Sequence, residues 1–200
     1  MNALKKSRIK TVMKYTWPFY IVSFVVIALF MHFIFGIAHA IPAYKTLTLF
    51  VSGEVTDLKK LKGDLISKYE DKELKSVSCI SSYPSDGQYL TKLSVAGYAS
   101  ADILIIPGST LDTLNVKKFA LELNEEIITS YYQGLSLYQQ DDINYGIKLN
   151  KEIVKEYMTL PEEDCYLVLN AGSENIGQYS LNNPNEAHIN ALELVKEWGM

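Results

Sequence analysis

From Tyr15 to Tyr44 the chain runs for thirty residues without an Asp, Glu, Lys or Arg. A helix needs roughly 20 apolar residues to cross a ~30 Å hydrocarbon layer, so this stretch is long enough to span with tilt. Trp17 and Tyr20 at one end and Tyr44 at the other suit the two membrane interfaces. Pro18 is expected in the first turn, where its missing donor does no harm. Five basic residues (Lys5, Lys6, Arg8, Lys10 and Lys14) and no acid precede the span. The positive-inside tendency therefore keeps the N-terminus in the cytoplasm and places the residues after Tyr44 outside it.

Ala38-His39-Ala40 offers a second reading, a small-x-small site at the end of a cleaved secretory signal. Such signals have an apolar core of ~7–15 residues, shorter than Phe19 to Ile37, which favours an uncleaved anchor. Either reading puts the main domain outside the cytoplasm. No carboxylate lies within helical reach of His32, so His32 reads as a tolerated neutral imidazole, not a site within the membrane. The expected organisation is a basic tail over 1–14, a membrane helix over 15–44 and one domain over 45–200.

Beyond residue 14, 14 basic and 23 acidic residues leave a net charge of −9. That balance argues against nucleic acid, because phosphate contacts need clustered cations. Two cysteines are too few for a disulfide framework and lack zinc spacing.

The domain alternates in pattern. An apolar run, Leu47–Val51, ends at Ser52-Gly53-Glu54. Leu58, Leu61, Leu65, Ile66 and Tyr69 then share one helical face, with Thr56 or Asp57 available as cap. A second strand covers Ser76–Ser81, and a helix fits Gln88–Tyr98. Ile103-Leu104-Ile105-Ile106 shows no polar alternation, as expected for a strand covered on both faces. Ser109 is placed to cap the next helix, around Leu111 and Leu114. Further on, Glu125–Tyr132 reads as a helix, Ile143–Leu149 and Tyr166–Leu169 as strands, and Glu186–Trp198 as a helix capped by Asn185. The order β-α-β-α-β-α implies an α/β fold: a single three-layer domain with a mostly parallel sheet. Ligands of such sheets sit beyond the carboxyl ends of the strands. Three loops meet there: Ser52 to Glu54, Ser82 to Gly87, and Pro107 to Ser109.

Ala101-Asp102-Ile103-Leu104-Ile105-Ile106-Pro107-Gly108, Phe119-Ala120-Leu121-Glu122-Leu123-Asn124 and Tyr145-Gly146-Ile147-Lys148-Leu149 carry a resemblance. Over residues 46–150 the chain resembles the first lobe of the extracellular solute-binding proteins of ABC importers. The third segment is similar to the strand that precedes the crossing to their second lobe, with Lys148 where the family has proline. The resemblance implies a periplasmic-binding-protein-like lobe. The 51 residues after Leu149 are too few for a second lobe of ordinary size, so closure of two lobes on a ligand is not expected.

Catalytic chemistry has little support. His188, beyond the membrane segment, stands at the start of a helix among polar residues. No nucleophile elbow, zincin, P-loop or dinucleotide motif occurs. Asp141-Asp142-Ile143-Asn144 lacks the remaining oxygens of a calcium loop and reads as a solvated turn. Cys79 and Cys165 lie in or beside strands, and free buried thiols are preferred over a pair. Fourteen tyrosines fit either an interface-rich surface or a coding bias.

The expectation is a non-enzymatic binding or accessory protein without cofactor or metal. It is tethered to the bilayer through 15–44 and associates with a transporter or surface assembly. The alternative is a small-solute receptor, acting as a dimer or after signal cleavage. Its candidate ligand residues are Gly53, Glu54, Ser82, Tyr83, Ser85, Asp86, Pro107, Gly108, Ser109 and Tyr145.

Overall fold

The structure, a computed structural model, describes residues 2–38 and 41–200, with side chains for 16–35 and 41–200. Two compact units, Met1–Ala40 and Ile41–Met200, divide the chain. The first contains one helix, α1 (Asn2–Ala38), in which Thr16–Phe35 is long and apolar enough to cross a membrane. This helix begins well before the apolar stretch, so Pro18 sits in its interior, not in a first turn. There it cannot donate to the carbonyl four residues back, which leaves one gap in the ladder. His39 and Ala40, the core of the proposed cleavage site, lie outside the described residues.

The second unit is α/β. Its elements are β1 (Thr46–Val51), β2 (Glu54–Val55), α2 (Leu58–Lys68), β3 (Ser76–Ser81), α3 (Tyr89–Lys92), α4 (Tyr98–Ser100), β4 (Ile103–Pro107), α5 (Gly108–Leu111), α6 (Glu125–Ile127), β5 (Leu137–Gln140), β6 (Ile143–Lys148), α7 (Lys151–Val154), β7 (Met158–Thr159), β8 (Cys165–Leu169) and α8 (Asn190–Gly199). A π-helical turn, Leu93–Gly97, joins α3 to α4, and another, Ile128–Tyr132, extends α6. Asp57 caps α2 by accepting from Lys60 N at 2.8 Å, and Asn124 caps α6 by accepting from Ile127 N at 2.9 Å.

Six strands form one sheet in the order β3-β1-β4-β8-β6-β5. The expectation of a mostly parallel sheet needs correction. β3, β1 and β4 run parallel, but β4–β8, β8–β6 and β6–β5 are antiparallel pairs. Asp141 and Asp142 explain part of this. Both have positive φ, 52° and 62°, in a two-residue connection from Gln140 to Ile143. A turn with both central residues in that region forces an antiparallel hairpin.

The sheet has helices on both faces. Leu47, Leu49, Val51, Ile103 and Ile105 point to one side, against Leu61 and Leu65 of α2 and Leu194, Val195 and Trp198 of α8. Phe50, Leu104 and Ile106 point to the other, against Tyr89, Leu93 and Leu111. Each fully buried large apolar side chain contributes about 1.5–3 kcal/mol. This two-sided burial explains the unbroken apolar run in β4. α8 begins at Asn190, later than its pattern predicts. Asn185 instead accepts from Ala187 N at 2.9 Å, and Gly177 N donates to His188 O at 2.9 Å. Those bonds hold residues 185–188 outside the helix.

Candidate functional site

The carboxyl ends of β1, β3 and β4 bring the three predicted loops to one end of the sheet. Ser82 N donates to Val51 O and Ser52 N to Ile105 O, so the loops at Ser52 and Ser82 start locked to the neighbouring strand. Ser52 and Tyr89 are both buried and share a hydroxyl–hydroxyl hydrogen bond of 2.6 Å. Burial raises the Tyr89 pKa, against the hydrogen bonds to Ser52 and Thr110. In the second loop Asp86 organises its surroundings. It accepts from Lys92 Nζ at 2.9 Å, Gln88 N at 3.0 Å and Ser82 Oγ at 3.2 Å. The Lys92 ammonium first, then the Gln88 amide, holds its carboxyl down at about 2. Tyr83 and Ser85 of the same loop are exposed.

Beyond the ends of β1 and β4 the chain packs against itself. β2 pairs with β7, so Glu54 lies opposite Thr159. A Cβ on Gly53 would fall 2.3 Å from Thr159 O, so only glycine allows this approach. Gly108 N donates to Asp164 O at 2.9 Å. Ser109 donates to the Glu163 carboxylate through Oγ at 2.9 Å and through its backbone N at 3.2 Å. Ser109 is therefore not the helix cap expected of it; Pro107 occupies the N-cap of α5 and offers no side-chain bond. Residues 158–164 thus form a strap across the strand ends. Lys151 holds the strap from behind, donating through Nζ to Pro161 O at 2.5 Å, Glu162 O at 2.8 Å and Glu163 O at 2.5 Å. Tyr145 does not join the three loops; it is buried on β6, in the cluster that contains Tyr138 and Val168.

At the opposite end of the sheet lies a buried polar network that the sequence pattern does not announce. Asp102, 8% exposed, accepts from Thr48 N at 2.6 Å, Ser173 Oγ at 2.5 Å and Asn175 Nδ2 at 3.3 Å. Asn175 Nδ2 also donates to Thr46 O at 2.9 Å, and Asn190 Nδ2 donates to Asn175 Oδ1 at 3.3 Å. Burial raises the Asp102 pKa, and the bonds from Ser173 and Thr48 oppose that rise. The network ties the irregular stretch 170–190 to β1 and β4. Its one signal in the sequence is an acid directly before a wholly apolar strand.

The cavities are open surface grooves. One of about 480 Å³ lies between α2 and α8, lined in part by Lys68, Tyr69, Lys72, Glu193 and Glu197. Its charges pair across it, Lys68 with Glu197 and Lys72 with Glu193. Another of about 390 Å³ is lined in part by Tyr98 and Phe119, whose rings stack at 3.9 Å. His188 stacks on Tyr44 at 4.1 Å. Among the described residues no group of three or more His, Cys, Asp or Glu is placed to hold a metal ion. Cys79 and Cys165 are free thiols, both pushed up to about 11 by burial.

No family model matches the chain, and no curated protein matches it.

Proposed function

We propose that this is a membrane-tethered, non-enzymatic accessory or binding protein. Its α/β domain, similar to a solute-binding-protein lobe, works outside the cytoplasm against a membrane transport or surface assembly. One observation supports contact with a protein over capture of a small solute. At the ends of β1 and β4, where open α/β sheets take ligands, the strap over 158–164 packs against Gly53, Gly108 and Ser109. The apolar α1 helix and the basic residues before it supply the tether and the orientation.

The test is purification of the tagged full-length chain in native detergent, with mass spectrometry of everything retained. Membrane subunits in stoichiometric amount are the expected result. A lone protein that shows saturable thermal stabilisation by a sugar, amino acid or ion would replace this reading with the small-solute receptor.

A further inference from the structure

Leu181 is 78% exposed, more than any other large apolar side chain among the described residues. A single exposed leucine is ordinary in itself. Its support, its surroundings and its place in the chain set this one apart.

The loop that carries it is built, not loose. Leu181 N donates to Ala171 O at 2.9 Å, and Ser180 N donates to Gly177 O at 3.2 Å. Ser180 Oγ accepts from Asn182 N at 3.3 Å and from Asn183 N at 3.2 Å. Asn182 Nδ2 donates to Gly172 O at 2.8 Å. These bonds fix the backbone on both sides of Leu181 and leave its side chain outside.

The surroundings are uncharged. From Asn175 to Asn185 eleven residues pass without an Asp, Glu, Lys, Arg or His, although Glu174 and Glu186 flank them and the chain beyond residue 14 carries a net charge of −9. Leaving water is costly for a charged side chain and favourable for a leucine. An uncharged loop tipped by a leucine suits an apolar boundary and has no ion pair to offer a protein.

The place in the chain says which boundary. Asn182 and Ala43 line one cavity of about 210 Å³, and the His188 ring stacks on Tyr44 at 4.1 Å. Both ends of the loop therefore lie beside residues 43 and 44, and Ile41, just before them, is 48% exposed. Six positions separate Ile41 from Phe35, where the apolar span ends. An extended chain covers at most about 3.3–3.6 Å per residue, so Ile41 stays within roughly 20 Å of the hydrocarbon edge.

We infer that residues 180–187 are an interfacial wedge, in which Leu181 enters the headgroup region of the bilayer that the chain itself crosses. Ile41 and Tyr44 lie beside it, and tyrosine is at home at that depth. Apolar side chains of such elements reach about 5–10 Å into the boundary of headgroups and acyl chains. Asn182, Asn183 and Asn185 are exposed and keep their hydrogen bonds among water and headgroups. One leucine is a weak anchor alone, but the tether keeps the lipid at high effective concentration. The three strand-end loops, at the other end of the sheet, are left to a protein partner. The inference rests on the reading of Thr16–Phe35 as a membrane span.

The probes are single tryptophans in the full-length chain, in phosphatidylcholine nanodiscs, on a Trp17→Phe background. Trp198 is buried and gives a constant baseline. Leu181→Trp should emit to the blue, and lipid brominated high on the acyl chain should quench it by about half or more. Added salt should leave that quenching unchanged, because no charge drives it. Tyr83→Trp, at the far end of the sheet, should be quenched by acrylamide and not by the lipid. Tryptophan itself favours the interface, so the wild-type chain is read separately. Headgroup-nitroxide lipid should broaden the amide signals of Leu181 and Asn183 and spare those of Tyr83 and Ser85, and Leu181→Asn should cut that broadening by about half. Quenching of Leu181→Trp by acrylamide alone overturns the wedge. Shielding from both quenchers overturns it in favour of a protein covering the loop, and equal broadening in Leu181→Asn overturns it too. Phe24→Trp, within α1, separates the two readings. If it escapes the brominated lipid, the membrane span is what fails; if it is quenched while Leu181→Trp is not, only the wedge is wrong.

Discussion

Replacing Asp102 tests how the second half of the domain is fastened to the first. Asp102→Ala removes the acceptor for Thr48 N, Ser173 Oγ and Asn175 Nδ2. Asn175 keeps Thr46 O, and the Ser173 hydroxyl can rotate toward another acceptor. The Thr48 amide has no such choice. An orphaned buried donor costs about 1–3 kcal/mol, and removing the buried carboxylate returns part of its desolvation cost. The net loss should be about 1–2 kcal/mol, or ~2–8 °C in Tm for a domain of this size. The assay is denaturant unfolding of the full-length chain in detergent, comparing midpoints at constant slope. Asp102→Asn separates the charge from the shape. Because the folded-state pKa of Asp102 is raised from 3.8, the folded state binds more protons than the unfolded state above that value. Its contribution is full below 3.8 and is lost as pH rises through the folded pKa. The carboxylates of Glu73, Asp86, Glu152 and Glu156 are shifted downward, so their effect has the opposite sign and lies at lower pH. As pH rises above 3.8 the wild-type chain should therefore lose stability relative to Asp102→Asn. A change below ~0.5 kcal/mol for Asp102→Ala, or parallel pH curves for the two proteins, refutes the reasoning.

Gly53→Ala should cost about 1–3 kcal/mol, because its methyl meets a backbone carbonyl; wild-type stability in thermal melts would contradict the strap contact. Lys151→Met should leave global stability within ~1.5 kcal/mol while speeding proteolytic cleavage within 160–164 by about tenfold, since it frees three carbonyls of the strap alone. Asp142→Gly should stabilise by about 0.5–1 kcal/mol by relieving a positive φ; a loss of stability would exclude the two-residue turn. Both thiols should react with maleimide at pH 8 about 100-fold more slowly than in denaturant; rapid labelling of either would contradict its burial.

The parallel half of the sheet was legible because its signals are local: an apolar run, a turn, an amphipathic helix and a cap. Asp57 and Asn124 show the same kind of agreement between a short polar side chain and a helix start. The antiparallel half was not legible as such. The pairing of β8 between β4 and β6 depends on partners distant in sequence, and the turn that sets β5 against β6 uses two aspartates instead of the usual Asn-Gly. The three strand-end loops were placed correctly, yet their closure was invisible. Glu163 belongs to no motif, and only the fold brings it onto Ser109. Tyr145 was drawn into the candidate site by a motif and belongs to the core.

The order in which the core is assembled has a kinetic consequence. The sheet interior around β1 and α2 is covered by α8, and Tyr69 reaches Glu197 across 128 positions of sequence. β8 lies in the middle of the sheet but comes after β1, β3, β4, β5 and β6 along the chain. During synthesis the parallel strands therefore emerge with one face bare, and long-range closure is the slow part of such topologies. A chain arrested before Asn190 should be sensitive to protease and prone to aggregate, and release of the final helix should convert it to the protected form. That interval is when its exposed apolar face is most open to the wrong surface.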